Sequence, residues 1–292
     1  MTIRHTSILN FVQKVTVILM LFGWMIDFGL CTPRSNTTVS MSVGGAQRAT
    51  SRSNSALIVN PAGMSRDQIY SAEAYYFRTS PSANTIGVNI VDSRTRAQKD
   101  GLAMGLGYYH TFIEGETSEY EALLGFALPL RLADSVGANL GLTTRYRADE
   151  ILKKDGFNLD GGLLFTFPYG VCAGVVGERL LEDEGAVRRL GIGGGLMSER
   201  LVIDVDYVQG EDQSTRWQGG LELLLGDSII LRGGYSDEDA QQDSRILSRI
   251  LSMGIGFLSV GGASGQLAFA YQREIDREVD QFGLSLSITP SM

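Results

Sequence analysis

The sequence predicts an all-β fold: an antiparallel transmembrane β-barrel of about 14 strands with a short N-terminal plug. Three observations lead there. Segments of period two recur along most of the chain, no convincing helical period separates them, and a secretory leader stands in front. In 136–147, Val136, Ala138, Leu140, Leu142, Thr144 and Tyr146 fall on one side, and Gly137, Asn139, Gly141, Thr143, Arg145 and Arg147 on the other. Successive side chains of a strand alternate between faces, so this is a strand with one oily side. The pattern returns with Phe157, Leu159, Gly161, Leu163, Phe165 and Phe167 against Asn158, Asp160, Gly162, Leu164 and Thr166. A soluble sandwich could contain one such strand; their repetition behind a leader indicates the outer membrane.

Composition removes other classes. The 25 basic and 33 acidic residues, with a pI near 4.9, offer no basic patch to nucleic acid. Glycine at 36 and proline at 6 suit a tightly curved sheet whose lumen must leave room for other side chains. A mean hydropathy of +0.02 is compatible with a barrel, because lipid-facing and lumen-facing residues cancel.

Residues 1–31 read as a signal peptide. Arg4, His5 and Lys14 precede an apolar run in which Asp27 is the sole acid, and Gly29-Leu30-Cys31 offers small residues for cleavage near Cys31. The clean apolar stretch 15–26 falls short of the roughly 20 residues that a membrane-spanning helix needs. Phe28-Gly29-Leu30 is a poor lead-in to lipidation at Cys31. Cys172 is then alone, which excludes an intramolecular disulfide and suits a small strand residue.

Residues 32–66 form the expected plug or periplasmic segment, and 67–292 the barrel. The first part, through residue 55, is polar and small, with Arg34, Arg48 and Arg52 and no long period. Gly44-Gly45-Ala46 is followed by the short apolar run 55–59 and by Asn60-Pro61-Ala62-Gly63, a turn signal. From residue 42 to 76 this arrangement resembles the start of the FadL-type outer-membrane fatty-acid transporters and of the related PorV-type barrels. The resemblance implies a plug that leads through the Asn60, Pro61, Ala62, Gly63 element into the first strand.

Strands follow at 68–78, 85–92, 102–111, 119–130, 136–147, 157–167, 171–180, 189–197, 201–209, 216–225, 228–236, 251–258, 266–273 and 281–288. From the fourth onward, short connections (131–135, 168–170, 198–200, 226–227) alternate with longer ones (148–156, 181–188, 210–215, 237–250), before two moderate ones at 259–265 and 274–280. Tight turns at one end and longer loops at the other are a barrel property and favour an even strand number. The connection 93–101 is long where a short one is expected: either strands two and three run further than drawn, or the count is 12. In the last strand, Gln281 to Ile288 resembles the C-terminal signal read by the bacterial barrel-assembly machinery, with Gly283, Leu286 and Ile288 at its key places. That machinery and outer-membrane lipid are the partners the sequence implies.

The faces differ chemically. Leu102, Met104, Leu106 and Tyr108; Leu221, Leu223 and Leu225; Leu251, Met253, Ile255 and Phe257; Leu267, Phe269 and Tyr271; and Phe282, Leu284 and Leu286 take the lipid side. Tyr76, Tyr120, Tyr146, Phe167, Tyr207, Trp217 and Tyr235 fall near strand ends, where interfacial aromatics belong. The lumen candidates are Glu121, Arg145, Arg147, Asp160, Glu178, Asp204, Asp206, Glu222 and Arg232, expected to pair with one another across the interior. Apolar Leu123, Leu164, Val176, Val202, Val208, Leu224 and Ile230 share their face, so the lumen could hold an amphipathic ligand or pack against the plug.

No site for covalent chemistry emerges. Gly191 to Gly195 is glycine-rich but lies in a strand without the lysine and following helix of a phosphate loop. Asp204 and Asp206 share a face and could hold a hard cation; without a third ligand, an arginine-paired or solvated duo is favoured. The acidic runs 182–184 and 237–239 read as solvated outer loops. His110, the one histidine after the leader, has no nucleophile motif beside it and reads as structural. The sequence thus predicts a non-enzymatic barrel in the Gram-negative outer membrane, without cofactor or metal. As the resemblance implies, it passes or binds a hydrophobic or amphipathic small molecule. The alternative is a barrel that anchors or shuttles secreted proteins, as in PorV-type relatives; a surface lipid hydrolase using His110 ranks below both.

Overall fold

The computed structural model describes residues 36–80, 83–94, 101–113, 118–133, 135–149, 154–181, 187–240, 246–259, 263–290. The leader, its cleavage site and the acidic run 182–184 lie outside these residues.

Fourteen strands close into one antiparallel barrel, each paired with its sequence neighbours: β1 (Tyr70–Thr79), β2 (Ala83–Asp92), β3 (Ala103–Ile113), β4 (Glu119–Ala133), β5 (Val136–Asp149), β6 (Lys154–Thr166), β7 (Val171–Glu178), β8 (Arg189–Met197), β9 (Leu201–Gly210), β10 (Thr215–Leu225), β11 (Ile229–Ala240), β12 (Ile246–Ser259), β13 (Ala263–Glu274) and β14 (Val279–Pro290). Closure comes from β14 against β1, from Ala72 opposite Ile288 to Thr79 opposite Gln281. Closure removes the exposed edges that a hydrocarbon solvent would leave unsatisfied. The short β7 pairs with β6 only from Gly161 to Thr166, and beyond that ladder Leu180 N–H donates to Leu159 O at 2.8 Å.

The outward phase is predominantly oily. Met104, Leu106, Tyr108, Leu124, Phe126, Leu128, Leu140 and Leu142, on adjacent strands, are each at least 36% exposed. A contiguous apolar surface of this kind is incompatible with a water-facing monomer and is the belt of a membrane barrel. Leu142→Arg, between Phe126 and Gly161 in this belt, should destabilise the lipid-embedded barrel by about 2 to 4 kcal/mol. Urea titration in vesicles reads this; an unchanged midpoint would refute the lipid-facing assignment. His110 sits in the outward phase, its ring stacked between Phe112 and Tyr120 at centroid distances of 3.8 and 4.3 Å.

Three features depart from the expected layout. The strand count is 14, yet β2 and β3 lengthen only at their far ends and not into the connection after Asp92, whose start docks on the chain's entry into β1, Ser93 N–H donating to Ile69 O at 2.8 Å and Gln68 Nε2 to Arg94 O at 3.0 Å. Residues 237–239 are not a loop; they extend β11, opposite Arg249, Ser248 and Leu247 of β12. Glu238 is held there by Arg216 at 2.6 Å and Arg189 at 3.3 Å. Third, the N-terminal segment is partly helical, with α1 (Thr38–Ser42), α2 (Ser53–Val59) and a 3-10 turn (Pro61–Ser65). Helices this short are not stable alone. They persist because their residues are buried against the wall.

Candidate functional site in the barrel lumen

The segment 36–66 runs inside the barrel and touches every strand. Helix α1 packs on β11 to β14, α2 on β1 to β4, and the 3-10 turn on β3 to β6. Between the helices, Val43 to Thr50 lies against β7 to β11. Glycine makes the approach possible. A Cβ built at Gly141 would collide with Pro61, at Gly162 with the Asn60 side chain, at Gly174 with the Arg48 carbonyl, and at Gly234 with Val43.

The Asn60, Pro61, Ala62, Gly63 element is the bend that makes this path. Asn60 Oδ1 accepts from Ala62 N–H at 3.2 Å, and its Nδ2 donates to Arg48 O at 2.7 Å and to Leu163 O of β6 at 3.2 Å. Pro61 occupies the first helical position, where a missing N–H costs nothing. Gly63 passes so close to the Ser51 backbone that a side chain would overlap it.

The lumen is divided. Toward β1 to β4, Met41, Leu57 and Met64 of the segment meet Tyr75, Phe77, Val91, Tyr109 and Leu123 in one apolar cluster. Tyr75 stacks on Phe77 and on Tyr109 at centroid distances of 5.9 and 6.0 Å. Asn89 Nδ2 donates to the Tyr109 hydroxyl at 2.7 Å, which fixes that ring, and lies 3.4 Å from that of Tyr75. Most lumen charges lie from β4 to β11, although Glu73 of β1 is buried in the apolar half, where the Tyr75 hydroxyl donates to it at 2.8 Å.

Those charges form several local groups, three of which contact the inner segment. Arg145 joins Asp160 at 2.5 Å, Glu121 at 3.2 Å and the Ile58 carbonyl at 2.9 Å, tying β4, β5 and β6 to the end of α2. Arg147 turns away from this group to Glu119 at 2.6 Å. Arg48 makes the second group, pairing with Glu178 and, through Nη1, with Asp206 at 3.1 Å and Gln218 at 2.6 Å. Asp206 also accepts the backbone N–H groups of Gln47 and Arg48 at 3.0 and 3.1 Å. In the third, Glu222 takes Arg232 at 2.6 Å and Arg52 at 2.8 Å. Asp204 lies buried beside Asp206, approached by the Thr50 hydroxyl and backbone N–H and ion-paired with no arginine among the described residues. At the rim, Arg249 donates to Asp276 at 2.7 Å and holds that carboxyl below the ordinary carboxylate range.

Of the residues read from sequence as lumen candidates, Asp160, Asp204, Asp206 and Arg232 are buried, Glu121, Arg145, Glu178 and Glu222 are partly buried in the pairs above, and the Arg147 side chain is 43% exposed. Sequence reading missed two sets: Arg48 and Arg52, which supply the counter-charge from the segment, and the ladder Tyr75, Phe77 and Tyr109. No metal-binding group of three or more His, Cys, Asp or Glu occurs among the described residues.

No protein-family model matches the sequence, and no curated protein sequence does. Solved structures do match in fold. The CymD monoaromatic hydrocarbon channel aligns with a TM-score of 0.60 at 12% identity, covering 88% of this chain and 97% of that one. The Pseudomonas putida toluene transporter TodX aligns at 0.57 and 12% identity, covering 91% and 100%. A Pseudomonas aeruginosa FadL homologue gives 0.57 at 10% identity, covering 90% and 99%. The architecture is thus that of FadL-type outer-membrane barrels across nearly the whole chain. The PorV-type part of the sequence resemblance gains no support from these structures.

Proposed function

We propose that this barrel binds, and passes across the outer membrane, a hydrophobic or amphipathic small molecule. The observation that carries the reading is the aromatic cluster in the lumen: Tyr75, Phe77 and Tyr109 pack with Leu57 and Met64, and the one buried carboxylate beside them, Glu73, is capped by the Tyr75 hydroxyl at 2.8 Å. A surface of this composition favours an apolar body, since burying an aromatic cargo against it would return the hydrophobic free energy lost from water. The titles of the similar channels, which name monoaromatic hydrocarbons and toluene, agree with such a cargo. Passage requires no covalent chemistry. His110, on the outer face and stacked between aromatic rings, has no hydrogen-bond partner at Nε2 among the described residues, which suits a structural role.

The test is uptake into liposomes that carry the full chain, with radiolabelled toluene and a labelled long-chain fatty acid as separate probes. At least one should enter faster than into protein-free liposomes, and Phe77→Asp should abolish the gain while Trp217→Phe, on the outer face, preserves it. Equal entry with and without protein for both probes refutes the reading.

A further inference from the structure

One part of the inner wall is bare. On the inward face of β3 and β4, Ala103 lies opposite Ala127 and Gly105 opposite Gly125, with Gly107 next in line, so this floor carries nothing longer than a methyl group. Val91 and Asn89 of β2 flank it on one side and Thr143 of β5 on the other, and Tyr109 and Leu123 close one end. Two side chains of the inner segment fill the trough. A Cβ built at Gly105 would lie 2.7 Å from Met64 Sδ and 2.8 Å from Leu57 Cδ1, and one at Gly125 would lie 2.6 Å from Leu57 Cδ1 and 2.7 Å from Met64 Cε. Room for the segment would by itself account for the glycines.

A second observation does not fit a mere spacer. Asn89 is fully buried, and its Nδ2 is spent on the Tyr109 hydroxyl, but its Oδ1 has no partner among the described residues. That oxygen borders the trough, 2.6 Å from where a Cβ of Gly107 would stand, and the segment meets it with Leu57, whose Cδ2 is 3.1 Å from the same point. A buried acceptor without a donor is destabilising, so an occupant that brings a donor gains an interaction that the segment cannot make. We propose that this trough is the seat of the cargo, and that the cargo is a single aromatic ring bearing a hydrogen-bond donor, of the phenol class. The ring lies on the glycine floor in place of Leu57 and Met64, which together have about the bulk of a substituted ring, and its hydroxyl donates to Asn89 Oδ1. This rests on the passage reading above, narrows its cargo, and makes the segment a competitor for the seat.

Fluorine NMR of para-fluorophenol and para-fluorotoluene tests it, with the full chain folded in an uncharged detergent and each affinity referred to the probe in protein-free micelles. The expected result is saturable binding that favours the phenol about tenfold, the size of one hydrogen bond. Asn89→Leu should erase that preference, and so should Gly107→Ala, whose methyl covers the same oxygen and leaves Asn89 in place. Leu57→Ala removes the competing side chain and opens an apolar cavity of the kind that takes up benzene, so both probes should bind about tenfold more tightly. Gly219→Ala, on the outer face, should match the wild type. Heat-shifted gel mobility verifies folding of each variant; if Asn89→Leu does not fold, Gly107→Ala carries the comparison. Three results overturn the proposal: no saturable binding to the wild type or to Leu57→Ala; a wild type without the preference, or a preference that survives in the folded Asn89 or Gly107 variant; or unchanged affinity in Leu57→Ala. Protein-dependent entry of toluene into liposomes alongside any of these would keep passage and discard the trough, whereas failure of both tests discards passage as well.

Discussion

Arg48→Met should be among the most damaging single substitutions in this protein, lowering the stability of the folded barrel by about 3 to 5 kcal/mol. The size follows from what is left behind. Asp206, which has no exposed side-chain surface, would lose its one guanidinium and retain only backbone donors; Glu178, about one quarter exposed, would lose its strongest partner but reach some water. The greater part of the penalty therefore belongs to Asp206. A double variant, Arg48→Met with Asp206→Asn, should recover much of the loss, because it removes the orphaned charge along with its partner. Urea midpoints of vesicle-embedded protein, compared at equal slope, give the difference. A loss under about 1 kcal/mol in the single variant would mean that water already reaches the cluster, and that the segment is not sealed against the wall as the distances imply.

That cluster also marks where sequence reading stopped short. Alternation alone placed the charged residues inward, because a period-two pattern fixes the face of every residue once a few are assigned. It could not supply partners, yet the signal was present. The nine lumen candidates comprise six carboxylates and three arginines, so their neutralisation demanded cations from elsewhere, and Arg48 and Arg52 are two of the four arginines of the adjoining segment 32–66, beside Arg34 and Arg66. The aromatic ladder was hidden for another reason. In Tyr75-Tyr76-Phe77, three consecutive aromatics satisfy either phase, and only the closed barrel shows that Tyr75 and Phe77 point in while Tyr76 points out. The acidic run 237–239 resembled a loop because charge is expected outside the membrane, but a strand can continue past the bilayer when Arg189 and Arg216 meet its carboxylate. Helices of five and seven residues leave almost no periodic trace, and burial stabilises them where propensity does not.

The second large effect is expected from the wall. Gly162→Val should displace the inner segment at its bend and cost about 3 kcal/mol or more, because the added atoms overlap the Asn60 side chain and press on Pro61, whose Cδ would lie 3.1 Å from the new Cβ. Neither neighbour can yield cheaply. Asn60 is held by Ala62, Arg48 and Leu163, and Pro61 starts the 3-10 turn that carries Met64 into the apolar cluster. The ladders of β6 with β5 and β7 do not depend on a side chain at Gly162, so the barrel should close while the segment lets go. Liposomes carrying this variant should then leak a small polar dye that wild-type liposomes retain, and residues 42–64 should become sensitive to added protease. Gly219→Ala is the matched control: a Cβ there meets nothing within 4 Å, so stability should change by less than about 0.5 kcal/mol and the dye should stay inside. If Gly162→Val seals and resists protease like the control, the bend moves aside without releasing the segment, and the Asn60 to Gly63 element is a tolerant spacer instead of the anchor that its three hydrogen bonds describe.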